Sequence, residues 1–144
     1  MIDAVKKALG EKEISQVVVA SRGGKSAVKL AESLGKGVQV ISISEFSYSD
    51  DTKKKMKKLK MVPVENADLV VQDMIETRET LLEYGPDVKA AVEVALIAKQ
   101  KGLVEGEYVA ASGKKTALVV NPDTIESELE IENIKKYVDS ALVS

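Results

Sequence analysis

The sequence predicts an α/β fold, a three-layer α/β/α sandwich with a mostly parallel sheet, and three observations lead to it. Short apolar runs rich in β-branched residues, typical of strands buried on both faces, alternate with longer helical segments. Strands separated by helices form right-handed βαβ units, which place helices on both faces of one sheet. The chain has 144 residues, 44% of them hydrophobic, which suits one domain with a buried core. We expect a core over 14–122 and a helical C-terminal extension over 123–144.

The first half of the chain begins with a helix at 2–13, which carries Ile2, Val5 and Leu9 on one face. A strand, QVVVA, follows at 16–20. The next helix has apolar residues at helical spacing and stops at Gly35, a common C-terminal signal. The remaining elements of this half are a strand at 38–44, a helix capped by Ser49 with Asp50 and Asp51 in its first turn, and an edge strand at 61–65 that contains Pro63.

The second half holds the clearest helix, at 86–102, which has Pro86 in its first turn and ends at Gly102. The segment before it is ambiguous at its start and helical later. Two strands at 107–113 and 116–122 flank a short turn. The tail offers a capping box at Asp123 and Glu126, followed by apolar residues at helical spacing.

The composition excludes several classes of function. The chain has no Cys and no His, so it has no thiolate nucleophile, no Ser–His pair and no conventional zinc site. Its net charge of −2 gives no general attraction to nucleic acid or anionic membranes, and we expect neither as a partner. The lysine run at 53–60 lacks interleaved aromatic residues and indicates a solvated helix surface. A charged N-terminal segment and the lack of Cys make the cytoplasm the expected location.

The stretch VVVASRGGKSA at 17–27 has the context of a phosphate-binding loop, because it follows a strand and opens a helix. A P-loop requires a glycine five residues before Gly24, and that residue is Val19. The P-loop interpretation is therefore rejected. A shorter device remains, in which backbone amides, hydroxyls and positive charges hold one phosphoryl group: Ser21, Arg22, Gly23, Gly24, Lys25 and Ser26. The alternative is a tight βα turn in which Ser26 helps to cap the helix.

A second stretch, ASGKKTA, repeats this composition after a strand with Ser112, Gly113, Lys114, Lys115 and Thr116. Ligands of open parallel sheets bind beyond the carboxyl ends of the strands, where the strand order switches. The two loops are expected to converge there. The alternative for this second stretch is a solvated hairpin turn.

Two longer segments, VVVASRGGKSAVKLAESLGKGVQVISIS and VKAAVEVALIAKQKGLVEGEYVAASGKKTALVVNP, resemble the C-terminal α/β domain of pyruvate kinase and its stand-alone archaeal and bacterial relatives. The resemblance covers most of 14–122. It implies a three-layer sandwich and a regulatory domain without catalytic residues, so pyruvate kinase activity is not expected. It also implies surfaces for subunit contacts, and hence a homo-oligomer.

In that family the loop equivalent to 21–26 binds a phosphate of a sugar bisphosphate effector. Ser21 and Ser26 match its hydroxyl positions and Gly24 matches its glycine, whereas Gly23 stands where the family usually has Ser or Thr. The second loop, at 112–116, is shorter than in the family.

The expected function is the binding of a phosphorylated small molecule, such as a sugar phosphate, a nucleotide or flavin mononucleotide. Two alternatives stay open. One is an enzyme acting on a phosphorylated substrate, with Lys25, Glu93 or a tyrosine as acid or base. The other is a homo-oligomeric interaction module without a ligand.

Overall fold

The computed structural model describes residues 1–69, 71, 74–125 and 134–143, and all structural statements below concern these residues. The helices are α1 (Ile2–Lys12), α2 (Lys25–Leu34), α3 (Asp50–Lys58), α4 (Ile75–Leu82), α5 (Pro86–Gln100) and α6 (Ile134–Ala141). The strands are β1 (Gln16–Ala20), β2 (Gln39–Ile43), β3 (Val62–Val64), β4 (Tyr108–Ser112) and β5 (Thr116–Val120).

The five strands form one sheet in the order β3-β2-β1-β4-β5. The pairs β1–β2, β1–β4 and β2–β3 are parallel, and β4–β5 is an antiparallel hairpin. The register aligns Val17 with Val40 on one side and with Val109 on the other. The mostly parallel α/β sandwich predicted from the sequence is therefore confirmed.

The sheet separates two apolar cores, because successive side chains of a strand point to opposite faces. Val17 and Val19 of β1 pack in one core with side chains of α1, α2 and α3. Val18 packs in the other core with α4, α5 and α6. All three valines are fully buried, which explains why β1 is a continuous apolar run rather than an alternating one.

Local signals account for most element boundaries. Ser49 caps α3 as predicted, since its Oγ accepts a hydrogen bond from the Thr52 N–H at 3.2 Å. Gly35 follows the last residue of α2 in a positive-φ conformation. The strand with Pro63 lies at the sheet edge, as predicted, where the missing N–H breaks no internal ladder.

The C-terminal segment returns to the sheet. Tyr137 and Val138 of α6 are buried in the α5-side core, and the Val143 N–H donates to the Ala117 carbonyl at 2.9 Å. The predicted capping box includes Glu126, which lies outside the described residues. Within the described part of the chain, no helix is long and apolar enough to cross a membrane.

Candidate functional site

The strand order reverses between β1 and β4, which are neighbours although β2 and β3 lie between them in the chain. A cleft of about 640 Å³ opens at the carboxyl ends of these strands. Ligands of open α/β sheets bind at this kind of switch point, and the volume lies in the range of small-molecule sites. The cleft is therefore the primary candidate site.

Buried polar side chains also indicate this cleft. Five polar or charged residues in the described chain are buried, and four of them line it: Ser21, Ser44, Glu93 and Ser112. A larger groove of about 1050 Å³ lies at the other end of the strands, where Gln16 and Gln39 begin β1 and β2. Gly35 and Gly102, which follow α2 and α5, line that groove, so helix carboxyl ends with their partial negative charge border it. A phosphate is better suited to the cleft, where α2 and α5 begin.

The β1–α2 loop forms one wall of the cleft. The Oγ atoms of Ser21 and Ser26 are 2.9 Å apart, and both residues line the cleft. Gly24 is the N-cap of α2, and no side chain caps this helix. Ser26 is the second helical residue and does not cap α2, so this detail of the alternative is wrong, whereas the tight βα turn of that alternative is present. The first N–H groups of α2 lack intrahelical acceptors, as at every helix start.

Gly24 has a φ of +85°, and an added Cβ would lie 2.6 Å from the Met56 Cε and 2.7 Å from the Thr52 Cγ2. Both atoms belong to α3. Only glycine allows this conformation together with such a close approach. The tight turn thereby fixes where α2 begins, and with it the position of Ser26.

Hydrogen bonds from Tyr48 and Ser44 to backbone carbonyls stabilise the β1–α2 loop. The Tyr48 hydroxyl donates to the Ser21 carbonyl at 3.3 Å and lies 2.6 Å from the Ser42 Oγ. Burial raises the pKa of Tyr48, so its phenol remains a neutral donor at ordinary pH. The Ser44 Oγ donates to the Arg22 carbonyl and accepts from the Phe46 N–H, both at 3.0 Å. These bonds stabilise the loop before any ligand arrives.

Arg22 brings positive charge to this wall. Its guanidinium lies over the ring of Phe46, 5.2 Å from the centroid, in a cation–π contact. Phe46 is 46% exposed and so keeps the arginine at the mouth of the cleft rather than in the core.

Helix α5 forms the facing wall. Its first two turns present Asp87, Lys89, Ala90 and Glu93 to the cleft. Glu93 is only 2% exposed, and its Oε2 accepts a hydrogen bond from the Val71 N–H at 2.9 Å. Lys89 Nζ lies 3.5 Å from the other carboxylate oxygen, Oε1. Among the described residues, Oε1 has no hydrogen-bond partner.

The β4–β5 turn closes the remaining side. Ser112 is buried at the end of β4, and Gly113 has a φ of +64°. The Asp87 carboxylate occupies the space that a Cβ at position 113 would need. Gly113 thus permits the start of α5 to pack directly on the turn.

The two glycine-containing loops converge as the sequence predicts, although only part of each reaches the cleft. The predicted site residues that line it are Ser21, Arg22, Ser26, Ser112 and Gly113. Those outside its lining are Gly23, Gly24, Lys25, Lys114, Lys115 and Thr116. Lys114 and Lys115 are exposed in the hairpin turn, and the Lys114 carbonyl contacts the amino terminus of Met1.

Sequence reasoning missed four polar cleft residues, and it named Glu93 only as an acid or base. The four are Ser44, Glu45, Asp87 and Lys89. One signal was available for Glu93: it is the sole charged residue in the apolar run at 90–98. Such a residue on a buried helix requires partners or a polar cavity.

Comparison with protein-family models and with curated proteins finds no match for this chain. The resemblance to the pyruvate kinase C-terminal domain therefore stays an expectation from the sequence. The function has to be argued from the cleft itself.

Proposed function

We propose that the protein binds a phosphorylated small molecule in this cleft, with the phosphate at the amino end of α2. The Ser21–Ser26 pair is the observation that carries the proposal. Within the described part of the chain these two hydroxyls hydrogen-bond only to each other, so they can turn their protons to an incoming anion. They lie beside a helix start whose N–H groups and partial positive charge favour phosphate.

The charges of the cleft support the same orientation. Arg22 and Lys89 are the cations that line it, whereas Lys25, Lys114 and Lys115 do not. We therefore assign the electrostatic contribution to Arg22, next to the serines, because Lys89 on the facing wall lies 3.5 Å from the Glu93 carboxylate and balances its charge. A phosphate beside Arg22 gains charge-assisted hydrogen bonds, which are stronger than neutral ones. Sugar phosphates, nucleotides and flavin mononucleotide all carry the required group.

A thermal-shift panel of phosphorylated metabolites and cofactors tests the proposal. A ligand at 100 times its dissociation constant adds about 2.7 kcal/mol of stability, or roughly 5–10 °C in Tm for a chain of this length. The compound that stabilises best is then titrated by calorimetry against Ser26→Ala. Because hydrogen bonds to charged groups contribute about 1.5–3 kcal/mol, the variant should bind about tenfold more weakly or worse.

Ser33→Ala is the matched control. Ser33 lies on the same helix, is exposed, and donates to the Lys29 carbonyl at 2.9 Å, away from the cleft. Its affinity for the ligand should equal that of the wild type. Equal affinities in Ser26→Ala and Ser33→Ala would contradict the proposed phosphate position.

An enzyme acting on a phosphorylated substrate is a second candidate, favoured by the position of Glu93 in the same cleft. The acid–base candidates from the sequence are Lys25, Glu93 and a tyrosine. Among the described residues, neither Lys25 nor any tyrosine lines the cleft, whereas Glu93 does. Phosphorus NMR of each stabilising compound, incubated with the protein, would reveal turnover. Compounds that bind and stay intact would support a binding domain.

A ligand-free module that associates with itself is the rival to both. Light scattering measures the oligomer directly. A stable dimer together with a silent metabolite panel would favour this rival over ligand binding.

A further inference from the structure

The two long walls of the cleft differ in charge. The β1–α2 wall carries Arg22, two hydroxyls and a helix amino end, which suit an anion, while the exposed Glu45, which follows Ser44, also lines the cleft. The α5 wall carries Asp87 and Glu93 against the single cation Lys89, and so has an excess of carboxylate. Inorganic phosphate can pair with the donors and the cation of the β1–α2 wall but leaves the carboxylates of the α5 wall without a donor.

Glu93 is the most deeply buried charged residue of the α5 wall. A buried carboxylate loses hydration and needs hydrogen bonds to compensate. Oε2 has the Val71 N–H, but Oε1 has no hydrogen-bond partner among the described residues, and it is shielded from solvent. The Lys89 ammonium at 3.5 Å lies beyond the usual N–H···O length of about 2.7–3.2 Å. Lys89 balances the charge of Glu93 while the acceptor site on Oε1 stays open.

Asp87 extends this acceptor surface to the mouth of the cleft. Its carboxylate packs on the Gly113 backbone, which holds it in place without a side chain at 113. Small Ala90 lies between Asp87 and Glu93 on the cleft-facing side of α5 and leaves room for a ligand. The α5 wall therefore places two carboxylates, one exposed and one buried, at the side of the cavity that faces the serine pair.

From this geometry we propose that the ligand is a phosphate ester that carries a hydrogen-bond donor, a hydroxyl or an ammonium group, and that a small shift of the Glu93 and Lys89 side chains exposes Oε1, which then accepts from this donor. The inference rests on the proposed function and makes it narrower. A donor-bearing ester satisfies both walls, whereas an ester with an apolar tail leaves the acceptor side unpaired. An ester with an apolar tail gains nothing from Oε1, which is already unpaired among the described residues of the free protein, whereas pairing with a donor removes the cost of a buried acceptor without a partner.

Three small esters separate the possibilities: ethyl phosphate without a donor, glycerol 3-phosphate with hydroxyls, and phosphoethanolamine with an ammonium. Titrations of the ¹⁵N-labelled full chain, followed by amide chemical shifts, give their dissociation constants. We expect at least one donor-bearing ester to bind about tenfold more tightly than ethyl phosphate. The better of the two identifies the donor as hydroxyl or ammonium.

Glu93→Gln tests the acceptor. The glutamine amide oxygen can accept the hydrogen bond from the Val71 N–H, as Oε2 does in the wild type. The amide NH₂ group then occupies the position of Oε1, where it can donate but not accept. The preference over ethyl phosphate should then fall below about threefold. Glu107→Gln, an exposed site outside the cleft, is the control and should keep the full preference.

Two results would overturn the inference while leaving phosphate binding intact. One is that the wild type binds all three esters with equal affinity. This measurement does not depend on whether a variant folds. The other is a preference that survives unchanged in Glu93→Gln. If neither inorganic phosphate nor any ester binds, the proposed function fails, and the inference fails with it.

Discussion

The two adjacent glycines of the β1–α2 loop should respond differently to alanine. Gly24 has a φ of +85°, and its added Cβ would meet Met56 Cε at 2.6 Å and Thr52 Cγ2 at 2.7 Å. A left-handed conformation costs a non-glycine residue about 1–2 kcal/mol. Overpacking adds about 1–3 kcal/mol, toward the lower end here because the Met56 methyl is the end of a flexible side chain. Gly24→Ala should therefore destabilise the fold by about 2–4 kcal/mol.

Gly23 provides the matched control one residue earlier. It does not have a positive φ, and its added Cβ would meet nothing within 4 Å. Alanine at 23 should leave stability within about 1 kcal/mol of the wild type or raise it, because it restricts the unfolded chain. Urea unfolding followed by circular dichroism measures both variants. Equal stabilities of Gly23→Ala and Gly24→Ala would refute the description of this turn.

Two other perturbations test parts of the structure around the cleft. Gly113→Ala should destabilise the protein because the φ of +64° strains any side chain and its Cβ meets the Asp87 carboxylate. Adding Asp87→Ala should recover the part due to the contact, and additive effects in thermal unfolding would contradict it. Glu65 accepts from the Tyr48 N–H at 2.6 Å, and this bond, with Lys53 beside it, holds its pKa below the ordinary 4.5. Its contribution to stability is thus complete above pH 4.5 and is lost as the pH falls through the lower folded-state value. Glu65→Gln should lose less stability than the wild type over this acid range, and parallel acid-unfolding curves would be the contrary result.

The fold follows from local patterns that the sequence displays. The valine run of β1 has no polar face, which predicts a strand buried on both sides, and Ser49, Gly35 and Pro63 mark boundaries through backbone chemistry that acts locally. The strand order cannot be predicted from local patterns in this way, because it depends on pairing between segments that are far apart in the sequence. Val17 pairs with Val109, and no local signal specifies that neighbour.

The residues of the site also divide into those that local sequence patterns predict and those that only long-range strand pairing brings together. Ser21 and Ser26 were predicted because one short loop contains both of them with its glycines. Asp87 and Lys89 were not, because on a helix start they have the appearance of ordinary surface charges. Only the reversal of strand order between β1 and β4 brings α5 opposite the serine loop. Three lysines that the sequence predicted as site residues lie outside the cleft, although they are in or next to the two loops that reach it. They are Lys25, Lys114 and Lys115.

The most direct test of phosphate binding at the start of α2 is a calorimetric comparison of three proteins: wild type, Ser26→Ala and Ser33→Ala. The titrant is the phosphorylated compound that gives the largest thermal shift. The proposal predicts affinity lowered about tenfold or more in Ser26→Ala and unchanged in Ser33→Ala. An unchanged affinity in Ser26→Ala, or no phosphorylated compound that stabilises the wild type, would contradict it.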